Sequence, residues 1–107
     1  MEQIDIDNIE KYHIKHKNIA VVFPYDFMDE NDYKVINAGK DGLSLDECYK
    51  AIDCELVELI HVTPNVIMIV DEEGSLKMNR QINPVASAIM GYNIYGNIIL
   101  THTSNFK

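Results

Sequence analysis

The sequence predicts an α+β domain: a mixed, mostly antiparallel sheet with two short helices, in the order β-β-α-β-β-β-α-β. Three observations carry this. Val66-Ile67-Met68-Ile69-Val70 is an unbroken apolar run rich in β-branched residues, the pattern of a strand buried on both faces. Ser44-Leu45-Asp46-Glu47 sets serine and glutamate three apart, the signature of a capping box. Asn83-Pro84 sets a favoured N-cap residue before the residue favoured at the first helical position.

Each element follows in turn. In residues 1–18, Ile4 and Ile6 alternate with acids as in a strand, while Ile9 and Tyr12 after Asn8 also suit one helical turn. Ile19 to Phe23 is a strand ended by Pro24. Residues 26–32, DFMDEND, form a carboxylate-rich loop; their spacing misses the alternate ligands and the glycine of an EF-hand, so a solvated loop is expected. Tyr33 to Ile36 alternates and reads as a second strand, paired with the first. A turn at 39–42 leads into a helix over 44–53, with Leu45, Cys48, Tyr49 and Ile52 on its apolar face. Glu55 to Val62 is a third strand, turned by Thr63-Pro64-Asn65 into the apolar run. Gly74, with positive φ, is expected to close a hairpin onto a returning strand at Ser75 to Met78. Residues 79–82 read as loop. The second helix spans Pro84 to Met90, with Val85, Ala86, Ile89 and Met90 inward and Gly91 as its left-handed stop. The last strand covers 97–103.

Composition narrows the function. The 107 residues make one domain with a modest core, so association between copies would help it. Apolar runs of about five residues are far below the ~20 needed to span a bilayer, and the acidic start is no signal peptide. Cys48 and Cys54 read as free core thiols in a reducing compartment, which points to the cytoplasm. The net charge of −8 is uneven: residues 1–58 carry fourteen acids against six lysines, and residues 59–107 three acids against Lys77, Arg80 and Lys107. An acidic half disfavours nucleic-acid binding, which needs basic clusters.

From Ile19 onward the chain resembles domain-of-unknown-function family 3846, small proteins common in bacteriophages and mobile elements. The resemblance covers most of 19–103 and leaves 1–18 as an extension. It rests on the opening strand ending at Pro24, on LVELIHVTPNVIMIVDEEGSLK, on INPVASAIMG and on YGNIILT, with Asn83, Ala86, Gly91 and Gly96 its most specific points. It implies a small accessory protein working inside an infected bacterium, and it carries no catalytic residues.

No catalytic set stands out in the sequence. His13 and His16 have metal-pair spacing, but lysines surround them and no second ligand pair accompanies them. His61 and His102 read as half-buried strand histidines. No serine sits on a glycine elbow and no glycine-rich loop cradles phosphate. The expected ligand site instead centres on Arg80, the sole arginine, with Lys77 and Asn79 beside it. Asn83 and the N–H groups of Val85 and Ala86 offer a helix N-terminus for an anion. A guanidinium adds a planar fork suited to phosphate or carboxylate, although Glu72 or Glu73 could equally pair with it. Tyr92 and Tyr95, and Phe23 and Tyr25 flanking the end of the first strand, could stack on a base, or simply cap the core or an interface.

Three functions compete. The first is a non-enzymatic protein that sequesters a small anionic, phosphorylated nucleotide, such as a host immune signal, with no cofactor or metal. The second is an acidic protein-binding inhibitor or DNA mimic. The third is a small hydrolase acting on such a nucleotide. A homodimer or larger homo-oligomer, formed through an edge strand or the tyrosine-bearing C-terminal region, is expected on account of the small core.

Overall fold

A computed structural model describes residues 18–26, 33–38, 42–77 and 81–105. They form a five-stranded sheet with one helix on each face. The strands are β1 (Ile19–Phe23), β2 (Lys34–Asn37), β3 (Val57–His61), β4 (Val66–Asp71) and β5 (Ile98–His102). The helices are α1 (Leu45–Ile52) and α2 (Pro84–Met90). The sheet order is β2-β1-β5-β4-β3, and every neighbouring pair is antiparallel. The α+β class therefore holds, with no parallel pair among the described strands.

β4 occupies the position its apolar run predicts. Val66 through Val70 are all buried. Ile67 and Ile69 join Ala20, Val22, Ile99, Cys48 and Ile52 under α1. Val66, Met68 and Val70 join Ile98, Leu100, Val85, Ala86 and Ile89 under α2. Side chains alternate across a strand, so one run feeds both cores.

The caps explain where the helices start and stop. Ser44 Oγ accepts from Glu47 N–H at 3.1 Å and Glu47 Oε1 accepts from Ser44 N–H at 3.2 Å, completing the capping box. α1 ends on Asp53, which takes the left-handed conformation at φ 54° and donates its N–H to Tyr49 O. Cys48 and Ile52 carry the buried face of α1; Leu45, expected there, is exposed because it lies at the first turn, beyond the core. α2 matches its predicted bounds and ends on Gly91 at φ 78°.

Two expectations are corrected. There is no returning strand after β4, so the described sheet has five strands where the sequence suggested six. Gly74–Leu76 is a single 3₁₀ turn, and Asp71 fixes it by accepting from Glu73 N–H at 2.9 Å. Gly74 does not take a positive φ. Its lack of a side chain eases a close approach, since a Cβ there would lie 3.2 Å from Tyr95 O. The expected hairpin of β3 into β4 is present, through the turn at 62–65, where Thr63 Oγ1 accepts from the N–H groups of Asn65 and Val66. The readings on residues 1–17, the loop at 27–32, the turn at 39–41 and Met78 lie outside the described residues.

Among the described residues, Asn83 makes three side-chain hydrogen bonds. It is fully buried, and its Oδ1 accepts from Ala86 N–H at 3.0 Å as the α2 cap. Its amide nitrogen donates to Phe23 O and to Gly96 O, both at 2.9 Å. One side chain thus starts α2, holds the end of β1 and fixes the segment before β5. Asn83→Ala is expected to destabilise the domain by about 2–3 kcal/mol, more than a cap alone (~1 kcal/mol), because two part-buried carbonyls also lose their donor. Asn83→Asp keeps the cap acceptor but loses the amide donors. Urea denaturation should show Asp nearly as damaging as Ala; a neutral Asp variant would reduce Asn83 to a simple cap.

Candidate functional site

The ends of several elements converge beside the C-terminus of β4. A cleft of about 300 Å³ is lined by Tyr25, Ile52, Asp53, Asp71, Gly74, Lys77, Gln81, Tyr95, Gly96 and Asn97. A second of about 510 Å³ is lined by Asp53, Cys54, Glu55, Asp71, Glu73, Leu76 and Lys77. Asp53, Asp71 and Lys77 belong to both, so the wall between the clefts is an ion pair. Lys77 Nζ lies 2.6 Å from Asp71 Oδ2.

Local sequence explains this geometry. Pro24 ends β1 and releases Tyr25, whose N–H donates to Asn97 Oδ1 at 3.0 Å. Gly96, at φ 82°, bends the chain ahead of β5 and presents its carbonyl to Asn83. Ile82 and Tyr95 form an isolated antiparallel bridge, flanked by Asn83 N–H to Ile94 O and Gly96 N–H to Gln81 O. This short ladder sets Gln81 and Tyr95 on the cleft wall.

Of the predicted site residues, Lys77 and Tyr95 line the smaller cleft. Asn79 and Arg80 lie outside the described residues. Asn83, Val85 and Ala86 do not line either cleft. All three are buried, and Ala86 N–H is bonded to Asn83 Oδ1, so the start of α2 faces the core. Tyr92 follows α2 and is exposed, away from both clefts. Tyr25, named from the sequence as a ring at the end of the first strand, lines the smaller cleft, whereas sequence reasoning missed Asp53, Asp71, Gln81 and Asn97. Asn97 carried a usable signal, since it adjoins Gly96, which bends the chain.

The charges favour cations at long range and leave anions to local donors. Asp71 and its surroundings raise the pKa of Lys77, first through the Asp71 hydrogen bond, so Lys77 stays charged at neutral pH. Its charge is matched by Asp71, and Asp53, Glu55 and Glu73 add negative charge around the pair. Cys54 lies beside them with its thiol pushed up, chiefly by burial and then by Asp71. Among the described residues, no group of three or more His, Cys, Asp or Glu is placed to hold a metal ion. His61 is exposed on β3 rather than half-buried, because β3 lies at the sheet edge. His102 is half-buried; its Nδ1 accepts from Ser104 N–H and lies 2.8 Å from Ser104 Oγ.

Fold and clefts together define a small antiparallel α+β domain with a polar, tyrosine-flanked recess at one end of its sheet. The chain belongs to the family described as a domain of unknown function, DUF3846, whose model matches residues 27–106. Comparison with curated proteins and with solved structures gives no match. Among the described residues no helix is long and apolar enough to cross a membrane.

The thiols give a direct check on the geometry. Burial pushes Cys48 up to about 11, with Glu47 adding to it, so its reactive thiolate is scarce at pH 8. Alkylation of the native protein at that pH should modify the half-buried Cys54 slowly and leave Cys48 intact. Rapid labelling of Cys48 before unfolding would contradict the packing of α1.

Proposed function

We propose that the protein is a non-enzymatic binder that captures a small phosphorylated nucleotide in the smaller cleft. The carrying observation is the joint lining of that cleft by Tyr25, Tyr95, Gln81, Asn97 and Lys77. Its volume lies at the small end of ligand sites, which run from roughly 300 to 1,000 Å³. A base stacks on a tyrosine ring, and the amide groups of Gln81 and Asn97 hydrogen-bond its edge. The phosphate points to Lys77 and to Arg80, three residues on in the chain. Since Asp71 matches the charge of Lys77, the arginine supplies the net positive charge a phosphate needs. In a phage or mobile element, tight capture without turnover acts as a sponge for a host nucleotide signal.

The acidic surround favours a second reading. Asp53, Glu55, Asp71 and Glu73 around the larger cleft match a basic partner protein, as in an inhibitor that imitates nucleic acid.

A thermal-shift screen across mono-, di- and cyclic nucleotides separates the two. The first reading expects a shift with one nucleotide class, and the same compound intact after release by denaturation. Calorimetry should then show at least tenfold weaker binding, about 1.4 kcal/mol, for Arg80→Ala and for Tyr25→Ala, with the unfolding midpoints retained. Affinity indifferent to both variants would put the site elsewhere. A silent screen would give first place to the acidic inhibitor.

A further inference from the structure

The two edges of the sheet differ. β2 is a four-residue strand that carries Lys34, and a lysine on a short strand discourages pairing with another chain. β3 has no such protection. Residues 56–62, LVELIHV, contain neither lysine nor proline, and Leu56 and Leu59 are 47% and 40% exposed.

The backbone of β3 is directed for pairing. At one end of the β3–β4 ladder Glu72 N–H donates to Leu56 O at 3.0 Å, and at the other Val62 N–H donates to Val66 O at 2.9 Å. In an antiparallel pair such bonds alternate along the strand. Leu56 O, Val62 N–H and both backbone groups of Glu58 and Ile60 therefore point at β4. Those of Val57, Leu59 and His61 point away from it, at an edge that no other described strand pairs with.

We infer that β3 is the interface of a two-fold homodimer, in which two copies of the strand pair antiparallel about Leu59 to form a continuous ten-stranded sheet. This register uses every outward-facing group of the strand. Val57 pairs with the partner's His61, Leu59 with the partner's Leu59, and His61 with the partner's Val57. On the opposite face Glu58 lies against the partner's Ile60. The neighbouring registers are worse. A shift one way sets Glu58 against the partner's Glu58, and like charges directly opposite are destabilising. A shift the other way runs Val57 into the turn at the partner's Thr63. The strand is thus self-complementary in one register, as a closed two-fold contact requires. α1 makes its main contacts with β4 and β5.

Light scattering at micromolar concentration should return twice the 12.2 kDa chain mass. Leu59→Lys sets two like charges on the axis and should return the single-chain mass, with the circular dichroism spectrum and cooperative unfolding retained. Leu59→Cys supplies a gain of signal. Bonded antiparallel partners have Cα atoms about 5.5 Å apart, within disulfide reach. Mild oxidation should link that variant into a dimer on a non-reducing gel, while the wild type, with Cys48 and Cys54, stays unlinked. A wild-type single-chain mass would overturn the inference. So would a dimer that survives Leu59→Lys yet dissociates with Val35→Lys, which would move the contact to β2.

Discussion

The fold depends on burying β4 on both faces at once. Met68 and Ile69 are adjacent in sequence, point to opposite sides of the sheet and are both completely buried. A strand of this kind forces the chain to supply cover on two sides, yet the described helices have only eight and seven residues. Helices so short are unstable alone, because nucleation is costly and few hydrogen bonds follow it. Caps and side-chain packing must therefore hold them. Leu43 and Ala38 extend the cover on the α1 side, and Ile94 on the α2 side. Asn83 couples the two requirements, since the side chain that caps α2 also secures the end of β1.

Elements with a local physical cause were legible in the sequence. The capping box, Asn83-Pro84 and Gly91 each specify a backbone geometry within a few residues, and the structure follows them. Gly74 was misread because a glycine after an acidic turn suggests a left-handed hairpin, whereas its role is contact with Tyr95, twenty-one residues away. The end of α1 was placed at residue 53, but the cap that makes it was not foreseen. Asp53 is a left-handed cap without a glycine, tolerated because aspartate visits that region more readily than most residues. The site was half legible. Lys77, Tyr25 and Tyr95 could be named from their chemistry, but not that Tyr25 meets Asn97, seventy-two residues away, through the β1–β5 pairing. Helix-terminal N–H groups were credited to the site because a sequence shows where a helix starts, not which way its start faces.

The electrostatics of the clefts constrain any ligand. Asp71 is nearly enclosed, with one carboxylate oxygen held by Glu73 N–H and the other by Lys77. A buried carboxylate needs such partners, and Lys77 is therefore a structural cation before it is a ligand contact. As the Lys77 pKa is raised, the stability it contributes is fully present at neutral pH and is lost only as pH climbs above the ordinary lysine range. Lys77 is about half exposed, so solvent screening keeps that contribution small. An anion reaching this place meets a charge-matched pair beside further carboxylates. Binding there must come from short-range donors and ring stacking rather than from long-range attraction.

Size ties the edge of the sheet to the same problem. A domain of 107 residues buries a smaller fraction of its surface than a larger one, and an open sheet leaves two rows of backbone donors and acceptors in water. Pairing at β3 would remove one of those rows and cover Leu59. The same register sets Glu55, on the wall of the larger cleft, opposite the partner's Thr63. Assembly then closes one side of that cleft with a second chain. A ligand touching both copies would bind the dimer in preference to the single chain and so favour association by mass action. The smaller cleft, framed by Tyr25, Tyr95 and Asn97 around the ends of β1 and β5, lies two strands further from that axis. The lining of that cleft comes from one chain, so the capture proposed there would be separable from assembly.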